Sequence, residues 1–127
     1  MSEDRMRILV LDDEAPIVNL CLRILQADHH AVAGFTKIDE ALARLAAETF
    51  DLLVVDYMMP GRNGFEVIRQ ARAYRPNIKV VLITGHGTPK VLGEAHEMKL
   101  SGILVKPFTP DELAGVVTAA FVPGESR

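Results

Sequence analysis

Short runs of aliphatic residues recur along this chain, and most of them end abruptly at a polar or charged residue. An apolar run without alternation is typical of a β-strand that is buried on both faces of a parallel sheet. The strong runs occupy residues 8–11, 52–55, 80–83 and 103–105, and residues 31–35 form a weaker one. Parallel strands need crossover connections, which are usually helices. The sequence therefore predicts five strands with helical connections.

The segments between and after these runs carry apolar residues at helical spacing. In the first segment, one helix face collects the side chains of Ile17, Leu20, Cys21, Ile24 and Leu25. Five alternations of strand and helix favour a parallel sheet covered on both faces, because crossover connections are almost always right-handed. The fold class predicted from the pattern alone is therefore doubly wound α/β.

Threonine residues mark the predicted starts of three helices. Thr36, Thr88 and Thr109 each precede a helical pattern, where a hydroxyl can accept a hydrogen bond from a free backbone N–H. An acid follows three residues after two of them, Asp39 after Thr36 and Glu112 after Thr109. This spacing predicts a capping box at both positions.

Length and charge restrict the organisation and the partners of the chain. Its 127 residues suit a single domain over residues 1–127, with a core over about 6–121 and a tail at 122–127. The net charge of -3 includes no basic run, which argues against direct binding of nucleic acid. The lone Cys21 cannot form an intramolecular disulfide, and the first apolar run is too short for a signal peptide or a membrane span. We therefore expect a cytoplasmic protein without membrane insertion.

The residues that end the strands carry the chemistry of this chain. Asp12 and Asp13 follow the first strand, Asp56 the third, Thr84 the fourth and Lys106 the fifth. The carboxyl ends of parallel strands meet at one edge of a sheet, and ligands bind there at the crevice where the strand order reverses. A strand order of 2-1-3-4-5 would place the first and third strands side by side, and with them Asp13 and Asp56.

Three carboxylates in one crevice repel one another, by about 4 kcal/mol per pair at about 4 Å and an effective dielectric near 20. Cations must offset this repulsion. Carboxylate oxygens with room for water and phosphate oxygens suit Mg²⁺, or Mn²⁺, and Lys106 adds a second positive charge. Phosphoryl transfer to a carboxylate needs in-line access and charge neutralisation, and these residues supply both.

Four separated motifs resemble the receiver-domain family of two-component signal transduction, in particular the chemotaxis-regulator type. They read LDDE at 11–14, DYMMPG at 56–61 followed by Gly64, ITG at 83–85 and VKPF at 105–108, in the order that the family has. The resemblance extends from Arg7 to about Ala120. It implies a flavodoxin-like (βα)5 fold with a five-stranded parallel sheet of order 2-1-3-4-5.

The resemblance also assigns roles to the residues at the strand ends. Asp56 would be the phosphoacceptor, and Asp13, Asp56 and the backbone carbonyl of Met58 would bind the metal directly. Asp12 would assist through water. Thr84 and Lys106 would contact the acyl phosphate as the other catalytic residues of the site.

The resemblance further implies a signalling switch and not an enzyme that acts on a separate substrate, although the domain itself would promote its phosphorylation and dephosphorylation. A histidine kinase or phosphotransfer protein would donate the phosphoryl group. A downstream protein would bind the face made by the fourth helix, fifth strand and fifth helix, with the receiver as a monomer or a phosphorylation-dependent dimer. The family also has a cis peptide at Lys106-Pro107.

Two positions depart from the family. Ile103 stands three residues before the lysine, where the family usually has the Tyr or Phe that swings inward on activation, and an isoleucine with a stiff χ1 cannot reproduce that movement. Lys99-Leu100 replaces a common Gly-Ala pair. We expect activation to differ from the usual aromatic swing, and the region around the fourth helix to be remodelled.

Other readings of the same residues remain open. A magnesium-dependent phosphatase or hydrolase also uses an aspartyl nucleophile, but it typically has two acids two positions apart after the first strand, and Asp12 and Asp13 are adjacent. A flavin-binding protein of this architecture would need a first loop rich in Ser, Thr and Gly. A binding module that is not regulated by phosphorylation is the third alternative. No effector segment follows in the sequence, so we expect a stand-alone regulator, a phosphorelay intermediate or the receiver part of a longer regulator or hybrid kinase.

Overall fold

Five parallel strands form the central sheet in the computed structural model, which describes residues 5–121. We number the strands β1 (Arg7–Leu11), β2 (Ala31–Phe35), β3 (Leu52–Asp56), β4 (Lys79–Thr84) and β5 (Gly102–Val105). Their order across the sheet is β2-β1-β3-β4-β5, which confirms the predicted order 2-1-3-4-5. The reversal of strand order falls between β1 and β3, where Leu11 is paired with Val55.

Five helices connect and cover these strands. They are α1 (Ala15–Ala27), α2 (Ile38–Ala47), α3 (Gly64–Tyr74), α4 (Pro89–Glu97) and α5 (Pro110–Ala120). The doubly wound α/β class predicted from the alternation of patterns is therefore confirmed. Between β3 and α3 the chain also forms a two-stranded antiparallel ribbon, Met58–Met59 with Arg62–Asn63.

The sheet separates two cores because side chains alternate along each strand. Leu9 and Leu11 point to the face covered by α2, α3 and α4. Ile8 and Val10 point to the face covered by α1 and α5, where Cys21 and Leu113 are fully buried. The central strands β1 and β3 therefore present no side chain of their apolar runs to solvent. This buried support holds the ends of the strands, where the polar residues begin.

The threonine caps are confirmed at two helices and wrong at the third. Thr109 accepts a hydrogen bond from the N–H of Glu112, whose carboxylate accepts one from the N–H of Thr109, which completes the predicted capping box. Thr88 caps α4 through the N–H of Val91. Thr36 does not cap α2, because Lys37 remains extended and is itself the N-cap residue, without a side-chain cap. The helix thus begins one residue too late for the Thr36 hydroxyl.

The predicted tail at 122–127 lies outside the described residues, and the assignment of one domain to residues 1–127 stays a prediction. Over residues 5–121, none of the helices combines the length and the apolar character that a bilayer crossing requires.

Candidate functional site

An acidic cluster lies at the carboxyl edge of the sheet, where β1 and β3 are adjacent. Asp12 and Asp13 come directly after β1, and Asp56 is the last residue of β3. One carboxylate oxygen from each of these three residues lies within 4.8 Å of the other two. Asp12 is fully buried and Asp56 is 5% exposed, whereas Asp13 faces solvent. The structure thus brings together the three acids that the sequence predicted to meet.

Lys106 reaches this cluster from the end of β5. Its Nζ atom lies 3.2 Å from Oδ2 of Asp12 and 3.4 Å from Oδ1 of Asp56. The same Nζ donates a hydrogen bond of 3.0 Å to Oε1 of Glu14, which begins α1 as its N-cap residue. The Lys106-Pro107 peptide is cis, as the resemblance implied.

Burial and charge shift the ionisation of these groups. Burial raises the pKa of Asp56 to about 6, and the neighbouring Asp12 charge adds to this, while Lys106 acts in the opposite direction. The pKa of Asp12 is also raised by burial, despite the Glu14 N–H and the Lys106 charge. Burial alone would lower the pKa of Lys106, but its hydrogen bond to Glu14 and the charges of Asp12 and Asp56 raise it above the ordinary value. One ammonium is therefore shared by carboxylates that are costly to ionise without it.

One buried oxygen of the cluster is not fully satisfied. Oδ1 of Asp12 accepts a hydrogen bond of 2.9 Å from the N–H of Glu14. Oδ2 is buried and forms an ion pair of 3.2 Å with the Lys106 ammonium, but it accepts no hydrogen bond from any residue that the structure describes. An unsatisfied buried carboxylate oxygen beside two further carboxylates fits a hard divalent cation. Asp12, Asp13 and Asp56 are thus a set of residues that can hold a metal ion.

Thr84 and the loop after it lie at the end of β4. The Thr84 hydroxyl is buried, donates a hydrogen bond of 3.1 Å to the carbonyl of His86 and accepts one of 3.0 Å from the His86 N–H. His86 itself is exposed. The hydroxyl in this state is therefore engaged with its own loop. Contact between Thr84 and a phosphoryl group stays a prediction.

The loop after Asp56 is held at two points. The Tyr57 N–H donates to the carbonyl of Ile83 in β4, and the Gly64 N–H donates to the carbonyl of Tyr57 at 2.6 Å. A Cβ atom at position 64 would lie 2.7 Å from the backbone oxygen of Asp56, so the close approach of α3 to this loop requires glycine. Met59 is buried, while Met58 is 63% exposed. Metal binding through the Met58 carbonyl stays a prediction.

The sequence motifs assigned no separate role to Glu14. In the structure its carboxylate forms an ion pair with Lys106. The signal was present, because an acid that directly follows two clustered acids at a helix start lies near the same cation. The ribbon of Met58–Met59 with Arg62–Asn63 was also missed. Its strands are too short to carry a periodic pattern.

The sheet order and the acidic crevice define a doubly wound α/β protein with a cluster of three acids at its switch point. The family model described as "Response regulator receiver domain" matches residues 8–118. The chain belongs to the response regulator receiver domain family, which confirms the resemblance found in the motifs. Proteins of this family are signalling switches.

Relatives of known function and known structure agree with this assignment. The chain is 35% identical over 107 residues to the transcriptional regulatory protein ResD of Bacillus subtilis, which covers 84% of this chain and 44% of ResD. It is 33% identical over 112 residues to the alginate biosynthesis transcriptional regulatory protein AlgB of Pseudomonas aeruginosa, covering 88% of this chain and 25% of AlgB. The chain therefore spans less than half the length of these two relatives.

Among solved structures, the chemotaxis protein CheY4 of Vibrio cholerae superposes with a TM-score of 0.86 at 26% identity, covering 92% of this chain and 99% of CheY4. The likeness includes the complete five-stranded sheet and its five helices. The flavodoxin-like (βα)5 fold is thus confirmed.

Proposed function

We propose that this chain is a phosphorylation-controlled switch that takes a phosphoryl group from a histidine kinase or phosphotransfer protein onto Asp56, with Mg²⁺ or Mn²⁺. The observation that supports this best is the sharing of the Lys106 ammonium between Asp56 and Asp12, at 3.4 and 3.2 Å, inside a cluster of three acids. The arrangement combines a buried carboxylate nucleophile, a fixed cation and a set of metal ligands.

The chemistry proceeds by attack of an Asp56 oxygen on phosphorus. A new O–P bond forms, the N–P bond of the donor phosphohistidine breaks, and the leaving imidazole nitrogen takes up a proton. Lys106 neutralises charge on the transferred oxygens, and Thr84 contacts them once its hydroxyl leaves His86. A divalent cation held by Asp13, Asp56 and the Met58 carbonyl, with Asp12 through water, would supply the remaining positive charge. The domain itself thereby promotes both addition and loss of the phosphoryl group.

Two surfaces suit the protein partners. A groove of about 430 Å³ beside Lys106 is lined by Glu14, Ile17, Leu20, Pro107 and Phe108, and it suits the apolar part of a phosphodonor protein next to Asp56. On the other side, Leu92 of α4 and Val105 of β5 are 43% and 46% exposed, and they suit a downstream protein at the face of α4, β5 and α5. We place the switch in the cytoplasm as a monomer or phosphorylation-dependent dimer, without direct contact to nucleic acid.

A mass-shift assay tests the proposal. The wild type is incubated with acetyl phosphate or phosphoramidate and Mg²⁺, and Asp56→Asn is treated in the same way. The control variant is Asp111→Asn, which removes an exposed acid from the first turn of α5. We expect one phosphoryl group to be added to the wild type and to Asp111→Asn. No phosphoryl group should be added in the presence of EDTA or to Asp56→Asn. No addition with either donor at any Mg²⁺ concentration would contradict the switch.

A module that binds proteins without regulation by phosphorylation is the second candidate, and Ile103 favours it. The Ile103 side chain packs against the core on the face covered by α2, α3 and α4. A branched side chain with a stiff χ1 cannot alternate between this core and solvent. Titration with beryllofluoride and Mg²⁺, which mimic the phosphoryl group, separates the candidates. Backbone NMR shifts that extend from Asp56 into α4 and β5 support the switch, and shifts confined to the acidic cluster support the binding module.

A further inference from the structure

The three contacts of Lys106 are not equivalent. Its Nζ lies 3.0 Å from Glu14, 3.2 Å from Asp12 and 3.4 Å from Asp56, and only the contact with Glu14 has the geometry of a hydrogen bond. The shortest of these contacts is therefore made to a residue outside the acidic cluster. Nothing in the proposed chemistry uses this contact.

Glu14 differs from the other two acids in its exposure. Its side chain is 60% exposed, whereas the side chain of Asp12 is fully buried and that of Asp56 is 7% exposed. Its backbone is fixed, because the N–H donates to Asp12 and the carbonyl accepts from Ile17 and Val18 at the start of α1. The carboxylate is thus an exposed group on a fixed backbone, at the solvent side of Lys106.

We propose that Glu14 is a positioning residue that holds the Lys106 ammonium in the unphosphorylated protein and gives it up when Asp56 is phosphorylated. This inference rests on the proposed function. Lysine has three N–H donors, and three carboxylates surround them here. A phosphoryl group on Asp56 adds strong acceptors beside this ammonium, and these acceptors compete with Glu14 for its N–H donors.

The contact that yields is the one with Glu14. A solvent-exposed ion pair contributes little, because water replaces it readily, whereas the buried Asp12 carboxylate has no such replacement. Glu14 therefore competes with the incoming phosphoryl oxygens for the same ammonium. Removal of its charge leaves Lys106 free to turn towards Asp56 before the reaction.

The test compares Glu14→Gln and Glu14→Ala with Asp111→Asn, which removes the same charge from an exposed position that makes no described contact with Lys106. We expect both Glu14 variants to be phosphorylated about two- to fivefold faster by acetyl phosphate and Mg²⁺ than the control, in line with the small strength of an exposed pair. A rate equal to that of Asp111→Asn, or a slower one, would overturn the release of Lys106 by Glu14.

A second measurement examines the contact between Glu14 and Lys106 in the unphosphorylated protein. The ammonium and ε-methylene NMR signals of Lys106, assigned by their loss in Lys106→Met, should shift in metal-free Glu14→Gln and stay in place in Asp111→Asn. Unchanged signals in Glu14→Gln would overturn the proposal. If no variant accepts a phosphoryl group, the proposed function fails and the release fails with it, while the NMR comparison still decides whether Glu14 holds Lys106.

Discussion

The Nζ atom of Lys106 lies 3.4 Å from Oδ1 of Asp56, although the strands that carry these residues, β3 and β5, are separated in the sheet by β4. The lysine side chain spans the end of β4 to reach the acid. This contact joins the positive and negative halves of the site in a single crevice. The cost of burying the acids therefore depends on this one ammonium, which under the proposed function also attracts the anionic phosphoryl group.

We expect Asp56→Asn to stabilise the metal-free protein at pH 7.5. The folded pKa of Asp56 is about 6, above its ordinary value of 3.8, so the folded state binds the proton more tightly than the unfolded state. The unfolding free energy of the wild type should therefore rise as pH falls from about 6 to 4. At pH 7.5 the gain in Asp56→Asn should reach up to about 3 kcal/mol, and it should vanish below pH 4. Urea unfolding in EDTA across this pH range measures it.

The control for this prediction is Asp111→Asn, which removes an exposed acid from the first turn of α5. Equal stability of the wild type and Asp56→Asn at pH 7.5 would contradict the burial cost assigned to Asp56.

We expect Lys106→Met to destabilise the metal-free protein and to make its stability depend on Mg²⁺. The substitution leaves Asp12 and Asp56 buried without their cation, which typically costs about 3–5 kcal/mol when a buried pair is broken. Mg²⁺ should recover much of this loss, because it supplies positive charge at the same carboxylates. Thermal unfolding with EDTA and with Mg²⁺ measures both effects. A variant equally stable with and without Mg²⁺ would argue against a metal site at the acidic cluster.

We expect alanine to have opposite effects on stability at two helical glycines, Gly64 at the start of α3 and Gly93 within α4. In Gly64→Ala the new Cβ would lie 2.7 Å from the backbone oxygen of Asp56 and 3.0 Å from Cα of Tyr57, so α3 must shift, at a cost of about 1–3 kcal/mol. In Gly93→Ala nothing lies within 4 Å of the new atom, and the substitution at this exposed position of α4 should stabilise the protein by about 0.5–1 kcal/mol. Unfolding free energies in urea decide between these signs.

We expect Thr109→Ala to cost about 1 kcal/mol, because it removes the hydroxyl that accepts from the N–H of Glu112. Thr36→Ala serves as the matched variant, since Thr36 precedes the N-cap residue of α2 and that helix has no side-chain cap. It should change the unfolding free energy by less than about 0.5 kcal/mol. A comparable loss in both variants would mean that the two threonines act alike.

Much of the fold could be predicted because its signals are local. The apolar runs that became β1 and β3 are continuous, and their alternation with helical patterns leaves few arrangements other than a doubly wound parallel sheet. The capping box of Thr109 and Glu112 follows from spacing alone. The cap at Thr36 failed because the end of β2 and the extended Lys37 decide where α2 begins, and neither is visible in the spacing.

The sequence by itself determined which residues meet at the carboxyl edge of the sheet, because strand ends carry Asp12, Asp56, Thr84 and Lys106 to one place in any parallel α/β fold. Only the tertiary structure decided how they share their contacts. The contacts of Lys106 with three acids, Glu14 being the nearest, depend on the position of β5 in the sheet and on the burial of Asp12. The strength of each ion pair of a long side chain depends on distance, exposure and local dielectric. These quantities are defined only once the chain has packed.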